Sequence, residues 1–147
     1  MARHTKATIQ ALDRIGALDL KEIVARSADL YGWSASQAAD AELWYKNFLK
    51  LCYLNRRRPV AALDEDADNL WHQHILYTIK YQRDCDALFG GFLNHDPIDG
   101  PASAEDVREF KRSMELCYAE YGTYPPKPAF RCVKRPPPPP PPPRKRK

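Results

Sequence analysis

Apolar residues recur at helical spacing through most of the chain. In "LDLKEIVARSADLYGW" they fall at Leu20, Ile23, Val24, Ala28 and Tyr31, with Ser27 on the same stripe. Asp19 and Glu22 have the spacing of a capping box, and Gly32 is a stop. The preceding "TIQALDRIG" predicts a weaker helix ending at Gly16. A second strong helix is predicted over "SASQAADAELWYKNFLKLCYLN", with Ser34 and Gln37 as its capping box. Its stripe runs through Ala38, Ala41, Tyr45, Phe48 and Cys52, and Pro59 closes the segment. A third helical pattern opens near Asp64, with carboxylates in its first turn, and reaches Phe89 before Gly90-Gly91. That is long for a small domain, and Thr78 is a candidate N-cap for a second helix after a bend. The last helix starts at Ser103, answered by Asp106, and ends at Gly122. No strand alternation stands out. The expected fold is all-α: a compact bundle of four to six helices, with an N-terminal segment over 1–18, a helical domain over 19–127 and a disordered proline-rich basic tail over 128–147.

Charge divides the chain. All 19 acidic residues precede residue 131, and seven lysines and arginines follow Phe130, so residues 1–130 carry a net charge of −3 against +4 for the whole. Electrostatic affinity for nucleic acid or an anionic surface would therefore rest on the tail, above all on Arg144, Lys145, Arg146 and Lys147. The eight consecutive prolines before them suit an aromatic-lined groove on a protein partner. No apolar run approaches a membrane span, and the first residues lack the apolar core of a secretory signal, which points to the cytoplasm. Reduced thiols follow from that location. Cys52 and Cys117 sit in apolar helical patterns and read as core residues.

The candidate chemistry lies in "LDEDADNLWHQHILYTIKYQRDCDALFGGFLNHDP". Successive helical residues turn about 100°, so His72 and His74 stand about 200° apart and face opposite sides. Asp68 and His72 are four apart and share a face. His74, Thr78, Tyr81 and Cys85 share the other if the helix is continuous, and Trp71 joins them. His95, beyond the glycines, could fold back to either face. One reading is a transition-metal site, zinc for example, using two or three of His72, His74, Cys85 and His95, with Asp68 as ligand or orienter. The other is a polar core: one histidine bonded to Asp68, another to Tyr81 or a helix terminus, and His95 a turn residue. Cys85 beside a histidine would be a nucleophile–base pair, but no phosphate loop, nucleophile elbow or metalloprotease motif accompanies it.

The pattern D-x-x-WHQHIL-x(4)-Y-x-x-DC-x(4)-G, formed here by Asp68, Trp71, His72, His74, Leu76, Tyr81, Cys85 and Gly90, resembles the hallmark of the glycine-rich domain-containing protein-like family. His95-x-Pro97, "GWS" at 32–34 and "YGTYPP" at 121–126 fit its flanks, and the likeness spans about residues 20–127. The resemblance implies a domain built around Trp71, His72 and His74, and it implies no particular reaction. Larger members of that family append membrane or glycine-rich segments, which this sequence replaces with its proline-basic tail. The leading functional reading is a non-enzymatic binding or adaptor module organised around the Trp71-His72-x-His74 helix. The runner-up is a metal-binding protein or metalloenzyme.

Overall fold

The computed structural model describes residues 3–136. Six helices follow in order: α1 (Lys6–Gly16), α2 (Lys21–Tyr31), α3 (Ala35–Leu54), α4 (Glu65–Leu76), α5 (Thr78–Phe89) and α6 (Ala104–Tyr121). The Ser34–Gln37 and Ser103–Asp106 capping boxes form as the sequence predicts. The Asp19–Glu22 box does not. Leu20 takes the N-cap position of α2, and Asp19 accepts the Lys21 N–H instead, at 3.1 Å. Asp64 caps α4 with both oxygens in use: one accepts from Ala67 N–H and the other from Lys127 N–H, each at 3.0 Å. α1 ends at Gly16 as the sequence predicts. Ala11 and Ile15 are buried, the helix lies against α3 and α5, and His4 bonds Glu120 at 2.8 Å.

The long helical pattern from Asp64 to Phe89 is broken, as its length suggested, at Tyr77 rather than Thr78. Tyr77 has φ −80° and ψ 66°, and no side chain caps α5. α5 ends at Gly90 with φ 70°, a conformation that costs glycine little.

The fold is helical, with six helices as expected. Three short strands join it, which no alternation in the sequence announces. They are β1 (Val60–Ala61), β2 (Asn94–Pro97) and β3 (Cys132–Arg135), in the order β1-β3-β2 and antiparallel throughout. β3 is the central strand, and its Cys132, Val133 and Lys134 are buried. The tail boundary predicted at residue 128 is therefore too early. Residues 127–135 run along 60–65, starting with Glu65 N–H to Lys127 O at 2.9 Å and Ala129 N–H to Leu63 O at 2.9 Å. Pairing satisfies the backbone of this segment, and Arg135 binds Asp96, Asp106 and Glu109. The proline run and Arg144–Lys147 lie outside the described residues.

The core gathers Ile15, Leu20, Ile23, Tyr45, Phe48, Leu49, Leu70, Trp71 and Val60 between the helices and the small sheet. Cys52 and Cys117 belong to it as expected, and burial pushes their thiols up to about 12 and about 11.

Candidate functional site

Trp71 lies at the centre of the molecule, with no exposed surface. Its ring and hydrogen-bond partners come from α3, α5 and β2. Phe48 packs on it with ring centroids 4.8 Å apart, and His95 meets it edge-on at 4.4 Å. Its indole N–H donates to the Tyr81 hydroxyl at 3.0 Å, and that hydroxyl donates to the Leu93 carbonyl at 2.5 Å. The indole thus anchors the loop that delivers β2.

The two histidines of the W-H-x-H stretch separate onto opposite faces. His74 is buried. Its Nε2 stands 2.8 Å from Asp84 Oδ2, and its Nδ1 2.6 Å from the Tyr45 hydroxyl. One assignment satisfies all three groups: a neutral imidazole donates Nε2–H to Asp84 and accepts the Tyr45 proton at Nδ1. The shifts agree, since burial lowers the His74 pKa and raises that of Tyr45. His74 is therefore a polar-core histidine, but its hydrogen-bond partners are Asp84 and Tyr45; the expected Tyr81 meets it only edge-on, with ring centroids 4.9 Å apart. Cys85 is buried near Tyr81 with its pKa raised by burial, and it stays apart from the other metal candidates as His74 does.

A pH prediction follows. Because the folded His74 pKa is depressed, the unfolded state binds more protons once pH drops below ~6.5. Stability should be complete above that value and decline as pH falls through the folded pKa. His74→Gln should flatten the slope of melting temperature against pH between about 7 and 5; an unchanged slope would assign the dependence to other groups.

His72 faces the other way and finds company. Asp68, His72, His95 and Cys132 each present one donor atom, all within 4.8 Å of one another. His72 Nε2 and His95 Nε2 each lie 3.6 Å from Asp68 Oδ1. Cys132 Sγ lies 3.6 Å from Asp68 Oδ2 and 3.5 Å from His72 Nε2. The Asp68–His72 pair follows from the helical i,i+4 spacing of α4. β2 brings His95 back to this face, and its strand pairing with β3 fixes Cys132 there, with Pro97 opposite Cys132. Cys132 was missed by sequence reasoning because it borders the proline run. A weak signal was present: "AFRCV" is a short apolar and β-forming run bounded by proline-rich segments.

The electrostatics of the cluster are unusual. Asp68 is 1% exposed, yet its Oδ1 has no hydrogen-bond partner among the described residues, nor has the buried His95 Nε2. Such orphans cost about 1–3 kcal/mol each. Burial, chiefly, lowers the His72 pKa and favours the neutral, ligating form. Burial and the adjacent Asp68 push the Cys132 thiol far up, so it is protonated at neutral pH and only a strong electrophile would draw off its proton. For zinc bonds of about 2.0–2.3 Å, tetrahedral ligands stand about 3.3–3.8 Å apart. With Oδ1 as the Asp68 ligand atom, three of the donor distances, 3.5–3.6 Å, lie in that range. Two imidazoles, one thiol and one carboxylate make a donor set suited to zinc or a similar transition metal. His72 is partly exposed, which leaves the cluster a route to solvent.

No described helix is long and apolar enough to cross a membrane. The chain is similar to glycine-rich domain-containing protein 1 of Arabidopsis thaliana, at 29% identity over 99 residues. That alignment covers 60% of this chain and 12% of the relative, so the likeness concerns a small part of a much longer protein. No solved structure matches. The UCP032817-like family model matches residues 21–129, a span that holds Asp68, His72 and His95 and stops short of Cys132. With the helical bundle, the Trp71-His72-x-His74 helix and this match together, the chain belongs to the UCP032817-like family.

Proposed function

We propose that this domain is a transition-metal-binding module, holding one zinc-like ion through Asp68, His72, His95 and Cys132. The observation that carries the reading is the pair of orphaned buried atoms, Asp68 Oδ1 and His95 Nε2, 3.6 Å apart and beside two further donors. An ion among them satisfies both atoms at once and takes the place of the thiol proton. His74 and Cys85 take no part; they hold the core behind Trp71. The ion ties α4 to β2 and β3, and so fixes the C-terminal strand on the helical body. The module reading draws support from the Arabidopsis relative, where the matching stretch is one part of a longer chain. The metal organises a recognition domain in this reading, and no reaction is assigned to it.

Tag-free protein analysed for metals should carry zinc or a related ion near one per chain. Cobalt(II) substitution should give visible bands of a tetrahedral site together with a thiolate-to-metal charge-transfer band. Cys132→Ser should remove the charge-transfer band. His95→Ala should weaken binding by more than the ~10–100-fold expected for losing an outer-shell partner, while His74→Gln should leave the stoichiometry intact. Metal-free protein whose melting temperature ignores both added zinc and a chelator would overturn the reading.

A further inference from the structure

Lys134 is a buried cation that pairs with no anion among the described residues. It is 2% exposed, and its ammonium donates to the Asn55 carbonyl at 2.9 Å and the Arg58 carbonyl at 2.6 Å, just past the end of α3. No carboxylate comes within ion-pair distance of it among the described residues, although the neighbouring Arg135 binds three. An ammonium has three donors, so one is left over. A buried charge with neutral partners only is costly, and an anion brought close to it recovers part of that cost.

Lys134 also lines a cavity of about 390 Å³, a size that suits small organic ligands. The cavity opens between the C-terminal ends of α3 and α5 and strand β3. Arg56 stands on its rim, stacked on Tyr53 with its guanidinium carbon 4.2 Å from the ring centroid and in no ion pair among the described residues. Phe89 and Phe92 supply apolar wall, and Phe92 is 57% exposed. Gly90 and Gly91 line the cavity with backbone alone, and a side chain built at either would meet open space. No aspartate or glutamate lines it among the described residues, and none of the four residues of the metal cluster does. Cations without acids, combined with exposed aromatic wall, define a class of ligand.

We propose that this cavity binds a small organic anion, a carboxylate or phosphate carried on an apolar body, with Lys134 and Arg56 facing the charge and Phe89 and Phe92 the body. Lys134 is then a ligand-binding residue as well as the donor to the Asn55 and Arg58 carbonyls of the turn after α3. The site is separate from the metal cluster and stands whether or not that cluster holds an ion.

The test uses the full chain, with amide NMR and calorimetry. The probes are benzoate and phenyl phosphate, and benzyl alcohol is the neutral control. Either anion should cause saturable shifts at the amides of Gly90, Gly91 and Phe92, and the stronger of the two identifies the preferred head group. Benzyl alcohol should cause none. Arg56→Ala, an exposed position, should weaken binding about tenfold, the loss of one hydrogen bond to a charged group. Lys134→Met should weaken it at least as much. If that variant fails to fold, Arg56→Ala and Phe92→Ala carry the test. The proposal is overturned if neither anion gives saturable shifts, if benzyl alcohol binds as well, if the shifts appear at His95 and Cys132 instead, or if Arg56→Ala and Phe92→Ala both bind with undiminished affinity.

Discussion

Trp71→Ala will destabilise the domain by about 3–5 kcal/mol, the range for removing a large aromatic side chain from a core. The upper half of that range is expected here. Trp71 has no exposed surface, so the full cavity appears. The substitution also removes the donor to the Tyr81 hydroxyl and the edge contact that seats His95. The loss should thus reach the Asp68–His72–His95–Cys132 cluster: the variant should melt well below wild type, and, if the proposed site holds zinc, bind it more weakly at temperatures where it is still folded. Trp71→Phe separates the two effects, since it keeps an aromatic body against Phe48 and loses the N–H. A Trp71→Ala variant melting within a degree or two of wild type would mean that the indole does not pack as described. Thermal unfolding followed by circular dichroism decides it.

Truncation after Arg131 should cost as much or more. It removes β3, which lies between β1 and β2 and pairs with both. Full burial of a valine-sized side chain contributes about 1.5–3 kcal/mol, and Val133 and Cys132 are both buried. The cut also unpairs the strand on either side, strips the ammonium from the Asn55 and Arg58 carbonyls, and frees Asp96, Asp106 and Glu109 from Arg135. Loss of cooperative unfolding, or a fall of at least ~3–5 kcal/mol in urea denaturation, is the expected result. A truncated chain as stable as the whole would show that the sheet adds nothing to the helical body. A removable tail, if the chain has one, can start only after β3.

The helical frame was legible because its signals are local. Ser34 with Gln37 and Ser103 with Asp106 announce two helix starts, Gly90 and Gly122 two ends, and the apolar stripe through Tyr45, Phe48 and Cys52 marks the buried face of α3. The Asp68–His72 contact was legible for the same reason, as a neighbour relation within one helix. The sheet was not. Its strands are two to four residues long, too short for alternation to register, and β3 is written "CVKR" directly before a proline run. Cys132 was hidden with it, because its tie to Asp68 bridges 64 residues and depends on the strand pairing. The notion of a shared face for His74, Tyr81 and Cys85 presumed a continuous helix. The break at Tyr77 ends that periodicity, yet the His74 and Tyr81 rings still meet, with centroids 4.9 Å apart. Tertiary packing restored there a neighbour that helical geometry no longer supplied.

The position of β3 also imposes an order on assembly. Helices α1 to α5 follow one another closely in sequence and can pack through short loops, whereas Ala61 meets Val133 only after a closure of 72 residues. Loop-closure entropy makes such a contact a late one. Until it forms, Asp68, His72 and His95 belong to an unfinished pocket that lacks its sulfur. Completion of the cluster therefore requires β3 in place, and an ion held by all four side chains would select molecules in which that strand has docked.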